Sequence, residues 1–394
     1  MSAWTPALRC TNCGRQSPKG GLPFRCPACG GHFDLAEPLH FLTPGPAGHG
    51  LSRFRGSLPL PPDIELPSLG EGGTPLVPAS IDGRRVYFKC EQLNPTGSFK
   101  DRGSAVLVAA LLAAGVHHAV EDSSGNAGAS LAGYSARAGL PVRIFVPDST
   151  AGPKQAQIAA YGAEVVRILG PRSETAKAVL RAAEAGAVYA SHIYLPFGLA
   201  GIATLAYELV EQLGAAPGAV ILPVGHGTLL LGLHRGFQAM LQAGAIRRLP
   251  QLLGVQARAC APLWAVEQAG AAGLGWVREG ETQAEGIRIL QPLRGDAVLQ
   301  AVAASGGRMI AVEEAEIEAG RTALAGRGLW VEPTSAVVWP ALHKVLASLP
   351  DPLVLVLTGS GFKATTRTTA HLPSAERPAK ETRQAAKPSP VPGV

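Results

Sequence analysis

The chain has 394 residues, of which 46% are hydrophobic and 16% charged, with 48 glycines and 33 prolines. It can bury sizeable cores, and its composition excludes a collagen-like or low-complexity polymer. The formal net charge of +6 would suit a nucleic-acid partner, but the arginines are scattered without a dense Lys/Arg block, and a basic surface favouring anionic small molecules is the simpler reading. No apolar run is long enough to span a membrane, and M-S-A-W-T-P-A-L-R-C lacks a charged-then-apolar leader pattern. A cytoplasmic protein without a membrane partner is expected.

The first element is a pair of C-x-x-C knuckles, Cys10 with Cys13 and Cys26 with Cys29. Their spacing is that of a tetrahedral all-cysteine zinc site, with Gly14, Gly30 and Gly31 where tight turns bring amides towards the sulfurs. Four thiolates leave no open coordination position, so such a zinc would be structural. A disulfide pair is the disfavoured alternative in a reducing compartment. Cys90 and Cys260 lie in apolar contexts and read as core. Glu37 to Pro67 is rich in proline and glycine and reads as an irregular connector.

From Leu69 to Lys363 short apolar runs alternate with Ala/Leu-rich helical patterns, the signature of β-α-β units around a mainly parallel sheet. Arg84 to Leu93 reads as a strand with Val86, Phe88 and Cys90 on one face, followed by the turn Asn94-Pro95-Thr96-Gly97. Gly103 to Ala114 reads as a buried helix ended by Gly115. Ser98 is the expected N-cap, which puts Lys100 in the first helical turn, where a cation opposes the helix dipole by roughly 0.3–1 kcal/mol.

Three later segments share the order strand, Gly/Ser loop, helix. In H-A-V-E-D-S-S-G-N-A-G-A-S a helix begins near Asn126 or Ala127, with Ser123, Ser124 and Asn126 at an N-terminus suited to a carboxylate. In A-V-I-L-P-V-G-H-G-T-L-L-L-G-L the strand Val220 to Val224 leads into Gly225-His226-Gly227-Thr228, a phosphate-cradling loop. It lacks both the G-K-[ST] of a nucleotide P-loop and the third glycine of a dinucleotide fingerprint, since Leu230 stands there. In P-L-V-L-V-L-T-G-S-G-F-K a buried strand ends at Thr358, at the sheet edge where open α/β sheets bind ligands. Any one loop alone would read as an ordinary turn. Together with a partly desolvated lysine, whose ammonium form is disfavoured as Schiff-base chemistry needs, they read as a site for a carbonyl cofactor bearing a phosphate. Pyridoxal phosphate (PLP) fits, with its aldehyde on Lys100 and its phosphate on Gly225–Thr228.

The order N-P-T-G-S-F-K-D-R-G, S-S-G-N-A-G-A-S, P-V-G-H-G-T, V-E-P-T-S-A and L-T-G-S-G-F-K, after an opening L-G-E-G-G-T-P-L, resembles threonine synthase and its fold-type II, tryptophan-synthase-β-like relatives. The resemblance implies an α/β enzyme of two domains with mainly parallel sheets. Residues 69–101 and 204–366 would form the larger, PLP-binding domain and 102–203 the smaller. Residues 1–36 would be a zinc-ribbon-like segment, 37–68 a connector and 367–394 a disordered tail. By the same resemblance Lys100 would carry PLP and shuttle protons, and Asn126 would bond the 3′-oxygen of the ring. Gly225, His226, Gly227 and Thr228 would hold the phosphate, and Thr358 would meet the pyridine nitrogen. Ser123, Ser124 and Ala127 would line the substrate carboxylate region, and Phe99 would pack beside the cofactor. A homodimer acting on an amino acid is expected.

The chain departs from the family pattern at Ala127, where threonine is common, and in Y-L-P-F-G-L-A-G-I-A-T, where Leu195 and Ala200 replace asparagine and glutamate and no lysine precedes Thr204. Conversion of O-phosphohomoserine and water to threonine and phosphate is the leading expectation. A serine/threonine dehydratase or a β-replacement (cysteate-synthase-like) enzyme is the alternative. A zinc-ribbon nucleic-acid-binding protein is remote, because the knuckles show no aromatic or basic stacking surface.

Overall fold

The computed structural model describes residues 4–45, 48–148, 152–170 and 172–364, and the tail expected over 367–394 lies outside the described residues. In chain order the strands are β1 (Leu8–Cys10), β2 (Phe33–Leu35), β3 (Leu76–Ile81), β4 (Arg84–Lys89), β5 (Ala119–Glu121), β6 (Val142–Pro147), β7 (Glu164–Ile168), β8 (Val188–Tyr189), β9 (Ala219–Pro223), β10 (Gln251–Ala257), β11 (Arg308–Val312) and β12 (Leu353–Val356). They make three sheets. The cysteine segment is the antiparallel pair β1–β2; the others have the orders β11-β10-β9-β12-β4-β3 and β7-β6-β5-β8. Every pairing in the two larger sheets is parallel except β3 with β4.

Parallel sheets are covered on both faces, so their central strands must be apolar throughout. The sequences A-V-I-L-P of β9 and L-V-L-V of β12 satisfy that, and every residue of both is buried. Each fully buried Val, Leu or Ile there contributes roughly 1.5–3 kcal/mol. The first six helices in chain order are α1 (Lys100–Ala113), α2 (Asn126–Ala138), α3 (Pro153–Ala160), α4 (Arg172–Glu184), α5 (Phe197–Leu213) and α6 (Thr228–Gln242). Close crossing of α1 and α5 demands glycine: a Cβ at Gly201 would lie 1.9 Å from the Arg102 carbonyl oxygen.

The structure corrects several local expectations. Helix α1 starts at Lys100, not Gly103, and its N-cap is Phe99, with no side-chain cap. Ser98 instead bridges Gly359 through its backbone. The cause is tertiary: the Phe99 N–H donates to the Thr358 carbonyl at 3.0 Å, so the sheet fixes the helix entry and no hydroxyl cap is needed. β9 begins and ends one residue earlier than its apolar run suggests, and Thr358 lies two residues beyond β12. Cys90 follows β4 and is buried, as its apolar context implied. Within the connector a 3-10 helix, Gly50–Ser57, buries Leu51 and Phe54, and Phe54 packs against Tyr207 at 5.3 Å between centroids.

Candidate active site

The carboxyl ends of β4, β9 and β12 point the same way, and the loops after them meet there. N-P-T-G-S-F-K-D-R-G is the hub, and its residues divide the work. The Thr96 backbone N–H donates to the Asp101 carboxylate at 2.6 Å and the Thr96 hydroxyl donates to it as well, closing the turn before α1. Ser130 Oγ donates to the same carboxylate at 2.7 Å, tying α2 to that turn. Arg102 is wholly buried and donates to Glu91 and Glu208 at 2.7–2.8 Å, while Lys89 Nζ reaches Glu208 at 2.9 Å. This four-charge network locks the first turn of α1 to α5 and to the segment after β4.

Lys100, held between these anchors, is half-buried and lines a cavity with its free surface. Burial pushes its ammonium down to about 8, against the opposing fields of Glu121 and Glu332. Roughly a tenth of it is free amine at pH 7, far more than in an ordinary lysine. Its Nζ sits 4.7 Å from the Phe99 ring centroid, so Phe99 is a direct neighbour of the amine.

The other sequence-predicted residues stand in two groups, and Ala127 and Thr228 among them line the cavity with Lys100. Asn126 opens α2, and its side-chain N–H donates to Glu332 at 2.8 Å; Glu332 also accepts from Lys154 at 2.8 Å. Ala127 lines the cavity beside Lys100. Ser123 and Ser124 precede α2, and Ser123 Oγ accepts from the Gly125 N–H at 3.3 Å. On the sheet side, Gly225, His226 and Gly227 connect β9 to α6, whose first residue, Thr228, reaches the cavity. Burial, together with Lys100 and Arg172, holds the His226 imidazole at about 3, so it is neutral at physiological pH. The Thr358 backbone N–H donates to Ser335 Oγ at 2.7 Å.

Whether these groups suit PLP can be asked of the protein alone. Among the described residues, Thr358 Oγ1, Asn126 Oδ1 and His226 Nδ1 are buried without a hydrogen-bond partner, a costly condition that a polar ligand would relieve. The four amides of a first helical turn have no acceptor within the helix. Gly227 holds a left-handed φ of +82°, and a Cβ there would lie 2.2 Å from Val298 Cγ2, so only glycine makes this turn into α6. Lysine, amide cradle and neutral hydroxyl therefore fit a phosphorylated pyridine aldehyde.

Three residues at the site carry no role in the sequence reading. Glu121 and His192 line the same cavity as Lys100, and Glu332 joins Asn126 to Lys154. Glu332 is visible in the sequence only as part of V-E-P-T-S-A. Glu121 ends β5, a strand-edge position that could have flagged it. His192 lies in an irregular segment with no periodic signal.

The cysteines also come together. Cys10, Cys13, Cys26 and Cys29 place their sulfurs within 4.8 Å of one another, with Cys10–Cys29 at 3.5 Å and Cys13–Cys26 at 3.7 Å. Tetrahedral zinc with Zn–S near 2.3 Å needs sulfurs about 3.8 Å apart, so the tetrad fits the ion. Gly14 and Gly30 take positive φ after each knuckle, whereas Gly31 does not. Past the second knuckle, Asp34 accepts two bonds from Arg235 at 2.7 Å and one from the buried Arg294 at 2.8 Å. Arg294 also donates to the carbonyls of Phe33, Ile193 and Tyr194 at 2.9–3.1 Å, and Arg25 reaches the Tyr194 hydroxyl at 2.8 Å. The cysteine segment thus grips the stretch that carries His192.

Residues 67–359 match the family model described as "Pyridoxal-phosphate dependent enzyme". The chain is 32% identical over 374 residues to a threonine synthase of Methanocaldococcus jannaschii, covering 90% of this chain and 92% of that protein. It is 34% identical over 323 residues to a threonine synthase of Synechocystis sp., covering 79% and 82% respectively. Among solved structures, a threonine deaminase from T.th. superposes with a TM-score of 0.63 at 28% identity over 73% of this chain and 92% of that one. Maize serine racemase, at 22% identity and a TM-score of 0.64 over 75% of this chain and 89% of that one, shares the fold.

Proposed function

The chain belongs to the pyridoxal-phosphate dependent enzyme family, and within it we propose the reaction of a threonine synthase: O-phosphohomoserine and water give threonine and phosphate. One observation supports this reading most strongly. A partly neutralised lysine at the start of α1 lines the same cavity as Thr228, the residue with which the glycine loop enters α6, on a chain resembling threonine synthases along most of its length.

Lys100 would hold the cofactor covalently, the amides of Gly225, His226, Gly227 and Thr228 its phosphate, and Asn126 its 3′-oxygen. When bound, PLP supplies an electron-withdrawing ring that makes the Cα–H bond of an attached amino acid acidic. Lys100 then takes and returns protons at the substrate carbons, a task for which an amine near pKa 8 is suited. Thr358, whose hydroxyl is buried without a partner, would offer the ring nitrogen a neutral group that does not force its protonation, as elimination and replacement chemistry tolerates. Ser123, Ser124 and Ala127 would surround the substrate carboxylate at the positive end of α2. A structural zinc on the four cysteines, a homodimer and a cytoplasmic location without a nucleic-acid partner complete the reading.

A second reading, a serine/threonine dehydratase or β-replacement enzyme, draws on the wall built by α5. There Leu199 and Ile202 face the cavity and Ala203 precedes Thr204, so this wall offers a substrate phosphate no cation. The test is to incubate the PLP-loaded protein with O-phosphohomoserine and follow phosphate, threonine and 2-oxobutanoate together. Phosphate and threonine in equal amounts establish the first reading. No turnover, while serine or phosphoserine is consumed, moves the protein to the second.

A further inference from the structure

The cavity that α5 lines with apolar residues also holds a buried acid, one oxygen of which is unpartnered. Glu121 ends β5 and is 2% exposed, and its Oε2 has no hydrogen-bond partner. Its Oε1 lies 3.7 Å from His192 Nδ1, too far for a hydrogen bond, and that nitrogen is unpartnered as well. Both side chains line the cavity together with Lys100. A buried polar pair left unsatisfied costs stability, and proteins retain such groups where a ligand completes them.

The surroundings decide which protonation states these groups hold. Burial and the neighbouring Asp122 push the Glu121 carboxyl well above the usual range, against the opposing fields of Arg172 and Lys100. Burial, Lys100, His226 and Arg172 hold the His192 imidazole well below its usual value. Both shifts run towards the uncharged forms, a carboxylic acid beside a neutral imidazole. A carboxylic acid is a hydrogen-bond donor, and Oε2 of Glu121 has no partner among the described residues.

We propose that Glu121 is a second catalytic acid, which protonates the departing oxygen of the substrate side chain. The inference rests on the threonine synthase reading. In the step, the Cγ–O bond breaks and its electron pair goes to the phosphate oxygen. The Glu121 proton forms the new O–H bond, leaving a carboxylate. When water adds its hydroxyl to Cβ, the remaining proton returns to Glu121. Protons at the carbon atoms stay with Lys100. A neutral acid thus replaces the cation that α5 does not offer, and the apolar wall strengthens it by excluding water.

The experiment compares wild type, Glu121→Gln and Glu121→Asp, each loaded with PLP, on O-phosphohomoserine in D2O. Phosphate release and exchange of the substrate Cα proton are followed side by side by NMR. Glutamine keeps the shape and loses the proton, so phosphate release should fall by roughly 10²–10³-fold while Cα exchange stays within about threefold. Aspartate, an acid on a shorter stem, should recover part of the rate. Persistence of Cα exchange also shows that the variant site is assembled. Undiminished phosphate release by Glu121→Gln overturns the proposal, as does an equal fall in release and exchange, which marks a structural role. If wild type itself releases no phosphate, the threonine synthase reading fails and takes this step with it.

Discussion

At the level of single residues, the site depends on buried charges that have been matched and others left unmatched. Arg102 is the matched case. Burial alone would push the Glu208 carboxyl up, but Arg102 and Lys89 hold it at about 2. The folded state therefore binds fewer protons than the unfolded one between pH 4.5 and 2, so this stabilisation is complete above about pH 4.5 and is lost as pH falls through that window. Arg102→Met would leave Glu91 with only the neutral donors Thr74 and Asn94 and Glu208 with Gly73 and the cation of Lys89, at a cost of about 3–5 kcal/mol. Urea unfolding at pH 7 should show that loss, and the gap between variant and wild type should narrow towards pH 2. A gap independent of pH would mean Arg102 acts by packing alone. Sequence reading finds Lys100 because its position beside a helix N-terminus is unfavourable in any fold. It misses Arg102 and Glu121, since a charge in an α/β chain looks like a surface residue until its neighbours are known.

At the level of elements, the glycine loop between β9 and α6 shows why local sequence is informative when backbone geometry is demanding. G-H-G-T follows an apolar run and precedes a Leu-rich one, and only glycine enters the left-handed turn at position 227 without cost. Gly227→Ala would add about 1–2 kcal/mol of backbone strain as well as the collision with Val298. PLP should then dissociate at least roughly tenfold more readily, read from loss of its visible absorption on dialysis. Unchanged retention would remove this loop from the phosphate site. The helix start at Lys100 is less legible. Ser98 reads as a cap by type, but the hydrogen bond from Phe99 to Thr358 reaches the segment after β12, far away in the chain, and local propensity yields to it.

In the molecule as a whole, the two C-x-x-C knuckles are joined to the site through Arg294. This buried guanidinium bonds Asp34 and Phe33 on one side and Ile193 and Tyr194 on the other, so the cysteine segment steadies the stretch beside His192. Cys13→Ser should lower zinc content and speed amide exchange at Ile193–Leu195. It should also raise the KM for the amino acid by roughly three- to tenfold with a smaller effect on kcat, since ligand removal loosens a site more than it alters its chemistry. Normal KM with zinc lost would uncouple the two regions. Sequence alone determined what short-range chemistry dictates: cysteine pairs at metal spacing, apolar strands alternating with helices, glycine where φ must be positive, and a lysine where a helix disfavours one. Tertiary structure alone decided which carboxylates face which cations, that an irregular segment brings His192 to the cavity of Lys100, and that one oxygen of Glu121 has no partner among the described residues. These depend on contacts between residues far apart in the chain, and both burial and the strength of a charge follow from what surrounds it.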